Sequence, residues 1–346
     1  MSLAKLTIPE HFNPEKVGEV WRVSYADRAR EARLWAQQHQ ISRSCEDRVR
    51  VGLLLIDVQN TFCIPGFELF VAGRSGNGAV EDNRRLCEFI YRHLHILTDV
   101  IPTMDTHRAM QIFHPVFWIN DSGEHPAPMS NLELADIEAG KWRINPEVLP
   151  NLPTAIDPQA YAFHYVRELT RDSKYPLTIW PYHALLGGIS HALVSAVEEA
   201  CFFHSIARYS ATEYEMKGNN PLTENYSVLQ PEVLTNANGE AIAQRNIELV
   251  DRLLNYDLLL VAGQAKSHCV AWTLNDLCDE IRSRDRKLAR KVYLLEDCTS
   301  AVVVPGQVDF TDLADETFTR CAELGMHRVR SIDPIETWEG ISEGLC

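Results

Sequence analysis

The stretch Gly263-Gln264-Ala265-Lys266-Ser267-His268-Cys269-Val270 follows an apolar run, residues 258–261, and precedes a pattern in which Val270, Leu274 and Leu277 recur at helical spacing. The local reading is a buried strand, a turn and a helix, with Cys269 at the first helical position. Free N–H groups and positive potential at a helix N-terminus lower a thiol's pKa, which makes Cys269 a candidate nucleophile. One more buried cysteine among nine fits this stretch equally well. Other segments decide between the two.

Working outward, residues 49–56 form a near-continuous apolar run, the pattern of a strand buried on both faces of a parallel sheet. It ends in Asp57-Val58-Gln59-Asn60-Thr61-Phe62-Cys63, and the carboxyl end of a central strand is where open α/β sheets hold their ligands. A helix over 81–97 and a strand over 99–103 follow, then Asp105-Thr106-His107 with His114 seven residues on. One carboxylate and two imidazoles are ligand types that suit zinc or another transition metal, although loop histidines bonded to backbone fit as well.

Residues 115–179 are polar, mixed and rich in proline, too long for a plain loop, and are read as an insertion serving as a lid or an oligomer contact. Short helices are expected at 129–138 and 161–170. Trp180-Pro181-Tyr182-His183 closes the insertion and supplies a third imidazole. Beyond it come a helix (191–208) whose His191 and His204 belong to its polar face or its packing and not to a site, a strand (212–216) ending at Lys217-Gly218, and an amphipathic helix (240–254). The strand before Cys269, a strand at 291–295, a helix at 311–324 and a strand at 328–332 complete the chain. Alternating strands and helices imply a Rossmann-like, three-layer α/β/α domain over 49–346 with a mostly parallel sheet. Residues 1–48 form an N-terminal helical extension, with a helix over 25–40 and with Trp21 and Trp35 packing on their own domain or on a neighbouring subunit.

The totals narrow the function. The 346 residues, 45% hydrophobic and 23% charged, are those of a globular protein with a substantial core. A net charge of -15 leaves no basic surplus for nucleic acid. No apolar run has the length a bilayer demands, which excludes a membrane partner and leads us to expect a cytoplasmic protein. The cysteines, odd in number and irregularly spaced, read as reduced thiols and not as a disulfide framework.

Taken together, four separated segments between Val49 and Ile332 resemble the nicotinamidase branch of the isochorismatase-like cysteine hydrolases. Residues 57–63 resemble D-x-Q-N-D-F-C, Asp105-Thr106-His107 with His114 resembles D-x-H…H, residues 180–183 resemble W-P-x-H-C, and residues 263–270 resemble G-x-A-x-x-x-C-V; Lys217-Gly218 matches a K-G pair. The resemblance implies a six-stranded parallel sheet with helices on both sides. It implies a catalytic triad of Asp57, Lys217 and Cys269, and a divalent metal held by Asp105, His107, His114 and His183, zinc first, with iron or manganese as alternatives. Phe62, Trp180 and Tyr226 would line a slot for a flat ring. The N–H groups of Ala265 and Cys269 would form an oxyanion hole beside a cis peptide between Gln264 and Ala265. Three departures bear on the substrate: Ala184 replaces a cysteine, Thr61 replaces an acid, and Lys266 puts a cation three residues before the nucleophile.

The implied function is a metal-containing amidohydrolase, assembled as a homo-oligomer, that converts nicotinamide or a similar small carboxamide to the acid and ammonia through a thioester. One alternative keeps the chemistry but takes another carbamoyl or imide compound, with Lys266 selecting an acidic substrate. The other is a catalytically silent binding protein derived from the same family.

Overall fold

A computed structural model describes residues 5–152, 155–171 and 175–341. Cys346 and the chain ends within the expected extension and domain lie outside the described residues. The main elements in order are α1 (Tyr25–Gln38), β1 (Val51–Ile56), α2 (Gly78–Arg92), β2 (Asp99–Asp105), α3 (Pro158–Arg171), α4 (Ser195–Arg208), β3 (Glu215–Lys217), α5 (Ile247–Leu254), β4 (Leu258–Gly263), α6 (Ala271–Arg284), β5 (Val292–Leu295), α7 (Thr311–Leu324) and β6 (His327–Val329).

Strand alternation builds the layers. Side chains on successive strand residues point to opposite faces, and in β1 Leu53 and Leu55 enter one hydrophobic cluster while Leu54 and Ile56 enter another. The first cluster takes Leu86, Phe89 and Ile90 of α2 and Val197, Ala200 and Phe203 of α4. The second takes Leu249 and Leu253 of α5, Leu274 and Ile281 of α6, and Phe318 of α7. Both faces are therefore covered, and each fully buried leucine contributes about 1.5–3 kcal/mol.

All six strands are parallel, in the order β6-β5-β4-β1-β2-β3. The chain moves outward from β1 to β2 and β3, then returns to place β4 on the other side of β1. Connections diverge between β1 and β4, so a crevice opens at the carboxyl ends of these strands. Ile56 pairs with Gly263 across that junction. Gly263 has φ +122°, and a Cβ there would lie 2.1 Å from Ile56 O, so only glycine fits.

Boundaries differ from expectation where side chains cap or extend an element. The amphipathic helix starts at Ile247 and not at 240, because Asn246 accepts the Leu249 N–H at 3.1 Å and caps it. The 191–208 helix begins at Ser195, the 81–97 helix is α2 shifted toward its start, and β2 runs on to Asp105. Pairing with Thr103 to Asp105 moves β3 to Glu215–Lys217.

The N-terminal extension packs on its own domain. Ala32 of α1 and Val17 are buried in the first cluster, Trp21 and Trp35 pack against it, and Ser195 Oγ is bonded to both the N–H and the C=O of Trp21. The insertion has a cluster of its own, centred on Trp118, Tyr161 and Tyr165, which also draws in Leu222 and Val233 from beyond it. Two short antiparallel pairings brace it, Trp118–Ile119 with Arg143–Ile144 and Asn131–Leu132 with Leu177–Thr178. The expected helix at 129–138 is reduced to Leu134–Glu138, and the one at 161–170 is α3. No helix among the described residues is long and apolar enough to cross a membrane.

Candidate active site

Four adjacent strand ends deliver the charged residues. Asp57 follows β1 in the left-handed region, φ +48°, a conformation that persists only where its surroundings hold it. Thr103 of β2 does so: its Oγ1 accepts the Asp57 N–H at 3.0 Å and donates to Asp57 Oδ1 at 2.5 Å. Lys217 ends β3 and pairs in register with Asp105. Its ammonium has three N–H donors, directed to Asp105 Oδ1 (3.0 Å), Asn225 O (2.7 Å) and Cys269 Sγ (3.6 Å). Asp57 Oδ2 stands 3.1 Å from the same nitrogen, and the Asp57 carboxyl lies beside the Cys269 side chain.

Burial and charge set the protonation states. Burial pushes the Asp57 carboxyl up, against the pull of Lys217. Burial acts the same way on Asp105, yet His107 and Lys217 hold that carboxyl well below the usual range. Lys217 stays protonated because the two aspartates outweigh its desolvation. Cys269 corrects the sequence reading: the thiol is not lowered at a helix start. It sits in a wide turn, Lys266–Val270, ahead of α6, and burial raises its pKa well above the ordinary thiol value despite Lys217. The Asp57 carboxyl lies beside this thiol, where a general base would stand.

The peptide between Gln264 and Ala265 is cis, as the resemblance implied. Ala265 O accepts from His268 N (3.0 Å) and Val270 N (3.2 Å), while the Ala265 N–H has no acceptor among the described residues. Gln264 is clamped on both sides, Nε2 donating to buried Asp82 Oδ2 at 2.8 Å and Oε1 accepting Ser300 N at 3.2 Å. Neither Asp82 nor Thr103 is marked by a motif, and sequence reasoning missed both.

Beside this triad lie the expected metal ligands. Donor atoms of Asp105, His107 and His183 fall within 4.8 Å of one another, all buried. Each imidazole turns Nδ1 to a backbone carbonyl: His107 to Gly218 O (3.1 Å), His183 to Pro181 O (2.8 Å) and His114 to Ala109 O (3.1 Å). A carbonyl accepts only, so Nδ1 carries the proton and Nε2 offers its lone pair, the tautomer of a metal-bound histidine. His107 Nε2 then faces Asp105 Oδ2 at 2.7 Å, two acceptors that repel unless a proton or a cation lies between them. His114 is outside the tight group, its ring 6.0 Å from His107 and 5.8 Å from His183, but its buried Nε2 has no partner. The donor set fits a divalent cation. Gly218, at φ +82°, makes room, since a Cβ would lie 2.7 Å from His107 Cε1.

A cavity of about 320 Å³ opens onto Cys269, Ala265, Lys217 and Asp105. Phe62, Trp180 and Tyr226 line it as expected, with Trp180 Nε1 donating to Tyr226 Oη at 3.1 Å. The sequence reading missed His268, held neutral because burial pushes it down to about 4, and also Glu68 and Glu224. The insertion contributes Pro128 and Met129 to the wall, so part of it shapes the pocket. Thr61, which replaces an acid, donates to Glu68 Oε2 at 3.1 Å, so a carboxylate stands beside that position from elsewhere in the chain. Lys266 does not reach the cavity: its Nζ binds Asp315 and lies 4.4 Å from the Phe318 ring centre. The expectation that it selects an acidic substrate is therefore corrected.

No protein-family model and no curated protein matches the chain. Among solved structures it is similar to the yeast nicotinamidase Pnc1p, at 14% identity over 81% of this chain and 99% of that one, with a TM-score of 0.50. The same yeast enzyme bound to the inhibitor nicotinaldehyde matches at 13% identity, 81% and 99% coverage and TM-score 0.50. A nicotinamidase pyrazinamidase from Acinetobacter baumanii matches at 18% identity, 83% and 98% coverage and TM-score 0.45. At these identities the likeness is one of fold: the chain has the three-layer, isochorismatase-like architecture that its motifs implied.

Proposed function

We propose that this chain, which carries the isochorismatase-like fold, is a metal-containing cysteine amidohydrolase that converts a small planar carboxamide to its acid and ammonia. Nicotinamide is the first candidate. The observation that carries the reading is the meeting of Asp57, Lys217 and Cys269 on one ammonium, at the floor of a cavity walled by aromatic rings.

The mechanism follows from the protonation states. Asp57 takes the Cys269 proton as sulfur attacks the amide carbon, and Lys217 holds the carboxylate and offsets the charge developing on sulfur. Oxygen of the tetrahedral intermediate receives hydrogen bonds from the N–H groups of Ala265 and Cys269. Asp57 then returns the proton to the amine nitrogen, ammonia leaves, and a thioester remains on Cys269. Water, deprotonated by Asp57, releases the acid. Phe62, Trp180 and Tyr226 hold the ring. Asp105, His107, His183 and His114 would hold a divalent cation, zinc before iron or manganese. Such an ion supplies a fixed positive charge that orients a ring nitrogen or a water at the cavity wall.

Incubating metal-loaded protein with nicotinamide and a panel of neutral carboxamides, with ammonia as the readout, tests the proposal. Stoichiometric ammonia and acid are expected. No release from any amide by protein of verified metal content would refute it.

A further inference from the structure

The cavity has a charge polarity that the proposed chemistry does not use. Its charged lining residues are Glu68, Asp105, Lys217 and Glu224. Asp105 faces the metal ligands and Lys217 is committed to Asp57, Asp105, Asn225 and Cys269, so neither is available to a substrate's remote end. Glu224 is buried, and its Oε1 accepts the Asn225 N–H at 2.8 Å. Glu68 differs from all three. It is exposed, and only the Thr61 hydroxyl donates to it among the described residues. A carboxylate accepts up to about four hydrogen bonds, so most of its accepting capacity is not taken up by the described residues.

Two further features point the same way. Lys266, the cation nearest the nucleophile in sequence, is held on the far side by Asp315 and Phe318. The walls are aromatic faces and apolar segments, among them Trp180, Tyr226, Met129 and Val303, and ring faces attract cations and repel anions. A net charge of -15 adds a long-range field of the same sign.

We infer that Glu68 is a specificity-determining residue, and that this cavity selects carboxamides bearing a positively charged group on the side of the molecule remote from the amide. The inference rests on the proposed active site for the position of the amide, and reverses the acidic preference read from Lys266. The scissile carbonyl sits over Cys269, the flat part of the substrate lies between the aromatic walls, and an ammonium or amidinium at the far end reaches Glu68.

Three near-isosteric probes test it: 3-(aminomethyl)benzamide, 3-(hydroxymethyl)benzamide and 3-carboxybenzamide, carrying charges of about +1, 0 and −1 at neutral pH. Binding is measured by calorimetry to the metal-loaded Cys269→Ala variant, with and without Glu68→Gln. The cationic amide should bind about two- to fivefold tighter than the neutral one, as an ion pair with an exposed carboxylate implies. That ratio should fall to about one in Glu68→Gln and shrink with added salt. A ratio near one with Glu68 intact, tighter binding of the acid, or an advantage that survives Glu68→Gln would overturn the inference. Ammonia release by the protein with Cys269 intact is scored separately. Charge-selective binding without turnover defeats the amidase proposal and leaves the selectivity standing, whereas turnover without charge selection does the reverse.

Discussion

Lys217 Nζ lies 3.6 Å from Cys269 Sγ and 3.0 Å from Asp105 Oδ1, so one buried ammonium joins the proposed nucleophile to the proposed metal site. Replacing it by Met leaves two buried carboxylates facing each other without a counter-charge. Lys217→Met should lose about 3–5 kcal/mol of stability in denaturant unfolding and at least about a hundredfold in kcat on any amide that is turned over. Full activity in this variant would remove Lys217 from the mechanism.

Because burial raises the Cys269 thiol well above the ordinary value, its thiolate is scarce at neutral pH without substrate. Alkylation of Cys269 by iodoacetamide, followed by peptide mass spectrometry, should be slow at pH 7 and still rising at about pH 9. A plateau below pH 7 would mean a preformed thiolate.

His114 is the ligand whose membership rests on an orphaned nitrogen. His114→Ala should weaken divalent-metal binding by at least about tenfold, read as metal content after dialysis against buffered zinc. Unchanged occupancy would restrict the site to Asp105, His107 and His183.

Lys266→Ala should leave kcat/KM within about twofold of the parent, because the ammonium is paired with Asp315 outside the cavity. A large loss confined to acidic amides would restore the discarded reading.

Asp82 gives a pH signature independent of turnover. Burial raises its carboxyl from 3.8 to about 6, even with Ser300, Gln264 and Arg85 bonded to it. A folded-state pKa above the unfolded one means that the folded protein binds more protons between the two values. The contribution is therefore fully present below about pH 4 and lost as pH rises through about 6. The difference in unfolding free energy between the parent and Asp82→Asn should shift against the parent by ~3 kcal/mol across that window. A pH-independent difference would show that Asp82 keeps its ordinary value.

Much of this arrangement is legible in the sequence because it is local. A strand buried on both faces must be continuously apolar, which exposes β1 and β4, and the residues just past such strands, Asp57 and the 263–270 turn, are where a parallel sheet exposes its edge. His107 and His114 follow the end of β2 at short spacings, and His183 stands in the short motif that closes the insertion. What was misread depends on partners distant in the chain. Lys266 is withdrawn by Asp315 and Phe318 of α7, the Cys269 thiol is raised by enclosure that no local pattern reports, and Glu68 acquires its place through Thr61 and a cavity wall built partly by the insertion. The late start of α5 turned on one Asn246 side chain.

The central claim is that sulfur of Cys269 carries the acyl group during amide hydrolysis. It is tested most directly by acid-quenching metal-loaded protein during steady-state turnover of nicotinamide, or of the best amide in the panel, and mapping the acyl adduct by peptide mass spectrometry. The account predicts the acyl group on the peptide containing Cys269, with both adduct and ammonia abolished in Cys269→Ala. Ammonia released at an undiminished rate by Cys269→Ala would contradict it.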